Sequence, residues 1–162
     1  MCKKLLFISG LFFSSNLLAA EATFDVRLVP AGDFTGKTSD VSGFATMVGS
    51  KVKAENIKVS LKNLKTGVDL RDTHTRKHLD TAKFPDAVLV SAEGENGVGT
   101  GLLKIKGIEK KITGTYKIVA QELAAQFKIN LSDFKITGIK YMGVGVDDEV
   151  VLNVKVPTRP GK

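Results

Sequence analysis

From residue 24 onward the chain alternates apolar and polar side chains with a period of two, and that pattern leaves few folds open. Phe24-Asp25-Val26-Arg27-Leu28, Ile57-Lys58-Val59-Ser60-Leu61-Lys62 and Leu103-Lys104-Ile105-Lys106 all carry it. So do Tyr116-Lys117-Ile118, Phe127-Lys128-Ile129-Asn130-Leu131 and the run from Val150 to Val156. Successive strand residues point to opposite faces, so each run has one dry face and one wet face, as antiparallel sheets with a single buried side require. Two less regular runs, near 41–49 and 87–93, bring the expectation to eight strands. Eight strands joined mostly by hairpins can close on themselves and leave no exposed edge. The expected fold is therefore all-β: an eight-stranded antiparallel β-barrel with one short helix.

Turn chemistry agrees with that reading. Glu95-Asn96-Gly97 carries the Asn-Gly signal of a tight hairpin, and Gly107–Lys111 and Gln121-Glu122 are placed to turn the next two pairs. Gly99 and Gly101, inside a strand, point either to a bulge or bend or to simple freedom beside the turn. Residues 69–82 break the alternation and read as a short helix. Asp69 or Asp72 is expected to cap its start, Arg76, Lys77 and His78 suit its C-terminal half, and Phe84-Pro85 is expected to stop it. Flanked by strands, this helix is the natural lid or plug of a barrel mouth.

The first residues read as an address. Lys3 and Lys4 precede an interrupted apolar run from Leu5 to Leu18, and Ala20-Glu21-Ala22 fits a small-residue cleavage site, as does Ala20 alone. The run is too short and broken for a bilayer span, so residues 1–22 are expected to be a cleaved secretory signal and 23–162 a single domain with a periplasmic destination. Cleavage removes Cys2, the sole cysteine, and leaves packing and sheet hydrogen bonds to hold the domain. The formal charge of +7 falls by one on loss of Lys3, Lys4 and Glu21. Its lysines are scattered singly along strands, which argues for a solvated outer wall and against nucleic-acid binding.

Catalytic patterns are thin. His74 and His78 stand four apart, a spacing that puts both imidazoles on one helix face, but no Glu follows His74 and Arg76 and Lys77 intervene. A metal-assisted hydrolase using His74 and His78 is the alternative that this pair leaves open. The residues after position 22 hold no cysteine and no G-x-S-x-G elbow. Arg71-Asp72 reads as an ion pair and cap, and Asp147, Asp148 and Glu149 as a solvated turn. Gly97-Val98-Gly99-Thr100-Gly101 lacks the final glycine and the helix of a dinucleotide cradle.

What remains is the inward apolar set: Val26, Leu28, Phe44, Ile57, Val59, Leu61, Leu103, Ile105, Tyr116, Ile118, Phe127, Ile129 and Leu131, with Leu79 and Phe84 from the helical segment. An eight-stranded barrel is either filled by such side chains, as in a structural or interaction protein, or opened into a small-ligand cavity, and periodicity alone does not choose.

Longer motifs do choose. Ser60-Leu61-Lys62-Asn63-Leu64-Lys65-Thr66-Gly67, followed by Arg71-Asp72-x-His74-x-x-x-His78-Leu79-x-Thr81-x-Lys83-Phe84-Pro85, resembles the central signature of the YceI-like family. Gly101-Leu102-Leu103-Lys104-Ile105-Lys106-Gly107-Ile108, Ser132-Asp133-Phe134 and the run from Asp148 to Val156 are similar to that family in position and type. Departures are a short, polar entry segment from Phe34 to Phe44 and Thr75 in place of an apolar residue. The resemblance implies a lipocalin-like barrel that binds a polyisoprenoid, an isoprenoid quinone or another long-chain amphiphile, without catalysis, cofactor or metal. It implies a ligand tail among the inward residues and a head near Arg71, His74 or Arg76. The partners it admits are the amphiphile itself, transient contact with a membrane surface, and a second copy in a homodimer.

Overall fold

The computed structural model describes residues 19–161; the expected signal with Cys2, Lys3 and Lys4 lies outside them up to residue 18. Eleven strands form one sheet: β1 (Glu21–Val29), β2 (Asp33–Thr38), β3 (Val41–Ser42), β4 (Ala45–Val48), β5 (Lys51–Ser60), β6 (Asp86–Glu95), β7 (Val98–Ile105), β8 (Ile108–Val119), β9 (Glu122–Asn130), β10 (Lys140–Tyr141) and β11 (Val144–Pro160). Helix α1 spans Asp69–Leu79 and a 3-10 turn spans Leu131–Phe134. All eight expected runs fall within or overlap these strands.

Closure comes through the long β11. It pairs with β9 on one side and with β1 on the other, and its last residues, Thr158 to Pro160, run parallel to Ala45–Met47 of β4. The ring β11-β4-β5-β6-β7-β8-β9 thus returns to β11. β2, β3 and β4 follow one another and pair in turn with β1 and β5, so together they act as one kinked stave. With β1 that makes eight staves, the expected all-β, lipocalin-like barrel, though one seam is parallel.

Two-residue turns link β6 to β7 and β7 to β8. Asn96-Gly97 and Lys106-Gly107 both have positive φ at each position, which matches the twist of the strands they join. The second is tighter than the expected Gly107–Lys111 turn, because β8 already starts at Ile108. Asp147, Asp148 and Glu149 are not a turn. They lie inside β11, where Asp148 accepts from Ser132 N–H and Oγ at 2.7 Å and Glu149 meets Lys128 Nζ at 2.8 Å.

Alternation slips once in the middle of the sheet. In β5 the buried apolar residues are Val52 and Ala54, then Ile57, with Asn56 between them at φ 52°. β6 carries the matching irregularity: its register with β7 shifts between Leu89 and Ser91. The bulge expected at Gly99 or Gly101 therefore belongs to the neighbouring strand.

The 60–86 connection explains where the helix sits. β2 ends the strand order, and among the described residues its free edge receives only the Lys37–Lys65 bridge, with N–H to carbonyl distances of 2.8 and 2.9 Å. α1 covers this side of the barrel end, with the Arg71 guanidinium 4.4 Å from the centre of the Phe34 ring.

The helix ends differ from the expectation. Val68 occupies the cap position without a side-chain bond, and Asp72 turns back instead, accepting from the Thr66 N–H at 2.6 Å and its hydroxyl at 2.7 Å. Its ion-pair partner is Lys65, at 3.6 Å, and not Arg71. The helix stops at Leu79, before Phe84-Pro85, because Asp80 takes the left-handed conformation (φ 51°) and its N–H closes back on the Lys77 carbonyl.

Candidate ligand-binding cavity

The interior is not filled. Two clusters of buried side chains, one around Leu61, Leu103, Ile129, Phe134 and Val150 and the other around Ala45, Val52, Ile57, Leu123 and Val156, leave between and beside them a cavity of about 660 Å³. That volume lies within the range of small-molecule sites and rules out the filled-barrel reading.

The wall is built by strand parity. Val26 and Leu28 of β1, Ile57 and Val59 of β5, Leu103 and Ile105 of β7, Tyr116 of β8, Phe127 and Ile129 of β9, with Leu61 and Leu131 just beyond strand ends and Leu79 of α1, all line it as expected. Residues not anticipated complete it: Phe24, Phe34, Val52, Leu64, Leu89, Ile112, Ala125, Ile136, Val150, Leu152, Val154 and Val156. Phe24, Ile112 and Ala125 continue alternating series whose other members are in the expected set, and Val150, Leu152, Val154 and Val156 are the even positions of a run that reads as a strand, so the pattern itself could supply these seven.

Space at one level comes from glycine. Cross-strand pairing aligns Val52, Gly94, Gly99, Gly114, Phe127, Leu152, Phe24 and Gly36 in a single row around the barrel. A Cβ on Gly94 would stand 2.5 Å from the Tyr116 ring, and one on Gly36 would overlap the Phe24 ring. Large rings therefore lie flat on bare backbone, and the lumen stays open beside them.

Three expected wall residues lie elsewhere, and so does one expected head-group residue. Phe44 points outward, 39% exposed, under the Arg159 guanidinium at 4.0 Å. Gly43 (φ 116°) passes so close to Ile57 that a Cβ would meet its Cα at 3.1 Å, and the inward series runs Val41, Ala45 and Met47 past it, which leaves Phe44 on the outer face. Phe84 packs against Gly107 after the helix, outside the cavity. Ile118 keeps the inward parity of Tyr116 but packs in the second cluster, beyond the cavity. Arg76 faces solvent in a shallow depression with Lys62, Asn63 and Lys77.

The lid is the polar part. Arg71, His74, Thr75, His78 and Leu79 line the cavity from α1 at the i, i+3, i+4, i+7, i+8 spacing of one helix face. Tyr141 reaches over from the hairpin between β10 and β11 and sets its ring edge-on to His74, with centroids 5.2 Å apart. Among the described residues no third His, Cys, Asp or Glu joins the two histidines in a group that could hold a metal.

Two ionisable groups tie the lid to pH. Burial, with the charges of His74, Lys77 and Lys106, holds His78 below its ordinary pKa. The Thr66 hydroxyl bond, opposed by burial and aided by the Thr66 N–H and Lys65, holds Asp72 below the usual carboxylate range. A histidine depressed in the folded state favours folding at neutral pH, and its contribution is lost as pH falls through about 6.5 toward the depressed value. Asp72 contributes above its ordinary value of 3.8 and is lost below it. Helix α1 is thus expected to loosen first below about pH 6.5, by the His78 step, and again as pH falls below the ordinary carboxylate value of 3.8, by the Asp72 step. Hydrogen exchange of the α1 amides checks this: His78→Gln should remove the first step, and an unchanged first step would refute its assignment to His78.

Solved structures share this architecture. The Burkholderia cenocepacia BcnA structure superimposes with a TM-score of 0.66 at 14% identity, over 84% of this chain and 94% of that one. A polyisoprenoid binding domain from Saccharophagus degradans gives 0.55 at 13% identity over 85% and 91%. A mutant CJ YCEI protein holding a monobromobimane guest gives 0.55 at 21% identity over 75% and 81%. At these identities the likeness is one of fold. No curated protein matches. The family model of the YceI-like domain matches residues 16–157, the whole barrel from β1 to nearly the end of β11, and the chain belongs to the YceI-like family.

Proposed function

We propose that this protein binds or carries a long-chain apolar ligand, such as a polyisoprenoid or an isoprenoid quinone, in the periplasm. The observation that carries the reading is the apolar cavity of about 660 Å³ with its polar lid. Burial of hydrocarbon there is favourable by about 25 cal/mol per Å² of apolar surface, so neither metal nor covalent bond is needed to hold a tail. The polyisoprenoid binding domain among its structural neighbours supports the same use of the barrel. The tail lies among Leu103, Ile105, Phe127 and Ile129, and the head sits near Arg71 and His74.

Export precedes this work. β1 begins at Glu21, and Ala22 is already buried between Thr38 and Val154. A cut after Ala20 leaves that strand whole, whereas a cut after Ala22 removes two of its paired residues. Among the described residues no helix is long and apolar enough to cross a membrane. The outer wall carries exposed Lys53, Lys104 and Lys128, each beside a glutamate, and a lipid-facing barrel surface excludes such charges. The hydrolase reading gains nothing from the site, since among the described residues no third His, Cys, Asp or Glu joins the two histidines in a group that could hold a metal.

Retention tests the lid. Leu79 is half-buried against the first cluster, so Leu79→Ala is expected to weaken retention of a long-chain fluorescent probe by about 1–3 kcal/mol, below the range of about 2–5 kcal/mol for fully buried leucines. His74→Ala should weaken it less. Off-rates compared side by side, with folding checked by circular dichroism, decide; a folded Leu79→Ala that releases probe no faster than the parent removes the lid assignment.

A further inference from the structure

The cavity mouth carries an apolar rim that nothing among the described residues covers. Val68 and Leu70, at the start of α1, and Tyr141, Met142 and Val144, on the β10–β11 hairpin, are all exposed, and all five also border the cavity. Met142 is 85% exposed and Leu70 52%. The edge-on contact of His74 with Tyr141 brings the two elements together, so these residues form one surface and are not scattered singly. Soluble chains rarely leave such a surface bare unless it meets a partner.

Charge indicates which partner. Arg71 and Lys140 border the same mouth, Asp69 stands as the acidic residue between Val68 and Leu70, and the chain from Glu21 onward, without Lys3 and Lys4, keeps +5 of the formal +7. Met142 and Gly143, both with positive φ, form the turn that projects the hairpin tip. Apolar side chains at a projecting tip, with basic residues beside them, are the elements by which a protein inserts shallowly into an anionic bilayer surface. A bilayer is also where a long-chain apolar ligand resides, and the rim surrounds the opening that leads to the cavity.

We infer that the rim of Val68, Leu70, Tyr141, Met142 and Val144 docks the cavity mouth onto an anionic lipid bilayer, where ligand is exchanged. The inference rests on the carrier reading for its purpose, but the docking itself is measured without ligand. The experiment is co-sedimentation of the full mature protein with vesicles of phosphatidylcholine alone or mixed with phosphatidylglycerol. Parent protein, Leu70→Asp, Met142→Asp and Val119→Asp are compared, each verified as folded by circular dichroism. Val119 is 71% exposed and ends β8, the strand that starts beside the lid, so it marks the opposite end of the barrel.

The parent and Val119→Asp should bind the anionic vesicles and lose them at high salt. Leu70→Asp and Met142→Asp should each bind about tenfold more weakly, as expected when apolar area leaves the interface and a like charge enters it. Binding that is equal for all four proteins, or that is lost with Val119→Asp, overturns the inference. So does a parent that ignores vesicles and instead dimerises through the rim, shown by a sizing-column shift that Met142→Asp abolishes. A parent that docks on vesicles yet takes up no long-chain probe sinks the carrier reading and leaves the docking surface standing.

Discussion

Replacing Phe134 with alanine is expected to destabilise the barrel by about 3–5 kcal/mol, a large part of the margin of a domain this size. Phe134 is 1% exposed, the largest fully buried side chain among the described residues, and it closes the first cluster from the 3-10 turn that follows β9. Lys135 takes the left-handed conformation (φ 54°) and sends its N–H back to the Ser132 carbonyl, so the turn holds the ring against β8, β9 and β11. The side chain does not border the cavity, so its loss leaves a new void. Val119→Ala, at an exposed position, should stay within about 0.5 kcal/mol of the parent. Denaturant midpoints for both variants check the pair. A shift below about 1 kcal/mol for Phe134→Ala would show that the turn is not part of the cooperative core.

The second large effect concerns the depth of the cavity. Ala125 lies in the half farthest from the lid, opposite Tyr116 on one side and Val154 on the other, and it borders the lumen. Ala125→Phe is expected to block that half and to lower affinity for long chains at least about 100-fold, or about 2.7 kcal/mol. Overpacking should cost about 1–3 kcal/mol of stability, which thermal unfolding monitors. For the parent, affinity should rise by about 0.8 kcal/mol per methylene until the slot is full. In Ala125→Phe the rise should stop at a shorter chain, while short chains bind as before. Two coincident affinity-against-length curves would mean that the tail does not reach the second cluster.

Most of the barrel was legible because period-two alternation states which residues share a face. Where the backbone departs from a plain strand, the same rule misplaces residues. Ile57, Val59 and Leu61 were read correctly, but Val52 and Ala54, on the other side of the Asn56 irregularity, belong to the opposite parity and were missed. Phe44 falls on the outer face because the inward series there is odd: Val41, Ala45 and Met47 pack into the second cluster on either side of it. The glycine row is visible only once register is known, because Gly94, Gly99, Gly114 and Gly36 come from four strands. Asp72 was read as a cap for want of its true partner: Thr66, six residues upstream, meets it only after the loop has folded. The rim at Tyr141 to Val144 has no periodicity to mark it.

Native mass spectrometry of protein isolated from its own compartment without detergent tests the central claim most directly. The account predicts a mature chain starting at Glu21 that carries one long-chain isoprenoid-like molecule, released on unfolding and identified by extraction. A folded protein that leaves that compartment without stoichiometric lipid, and that then takes up no polyisoprenoid, quinone or other long-chain probe, would contradict it.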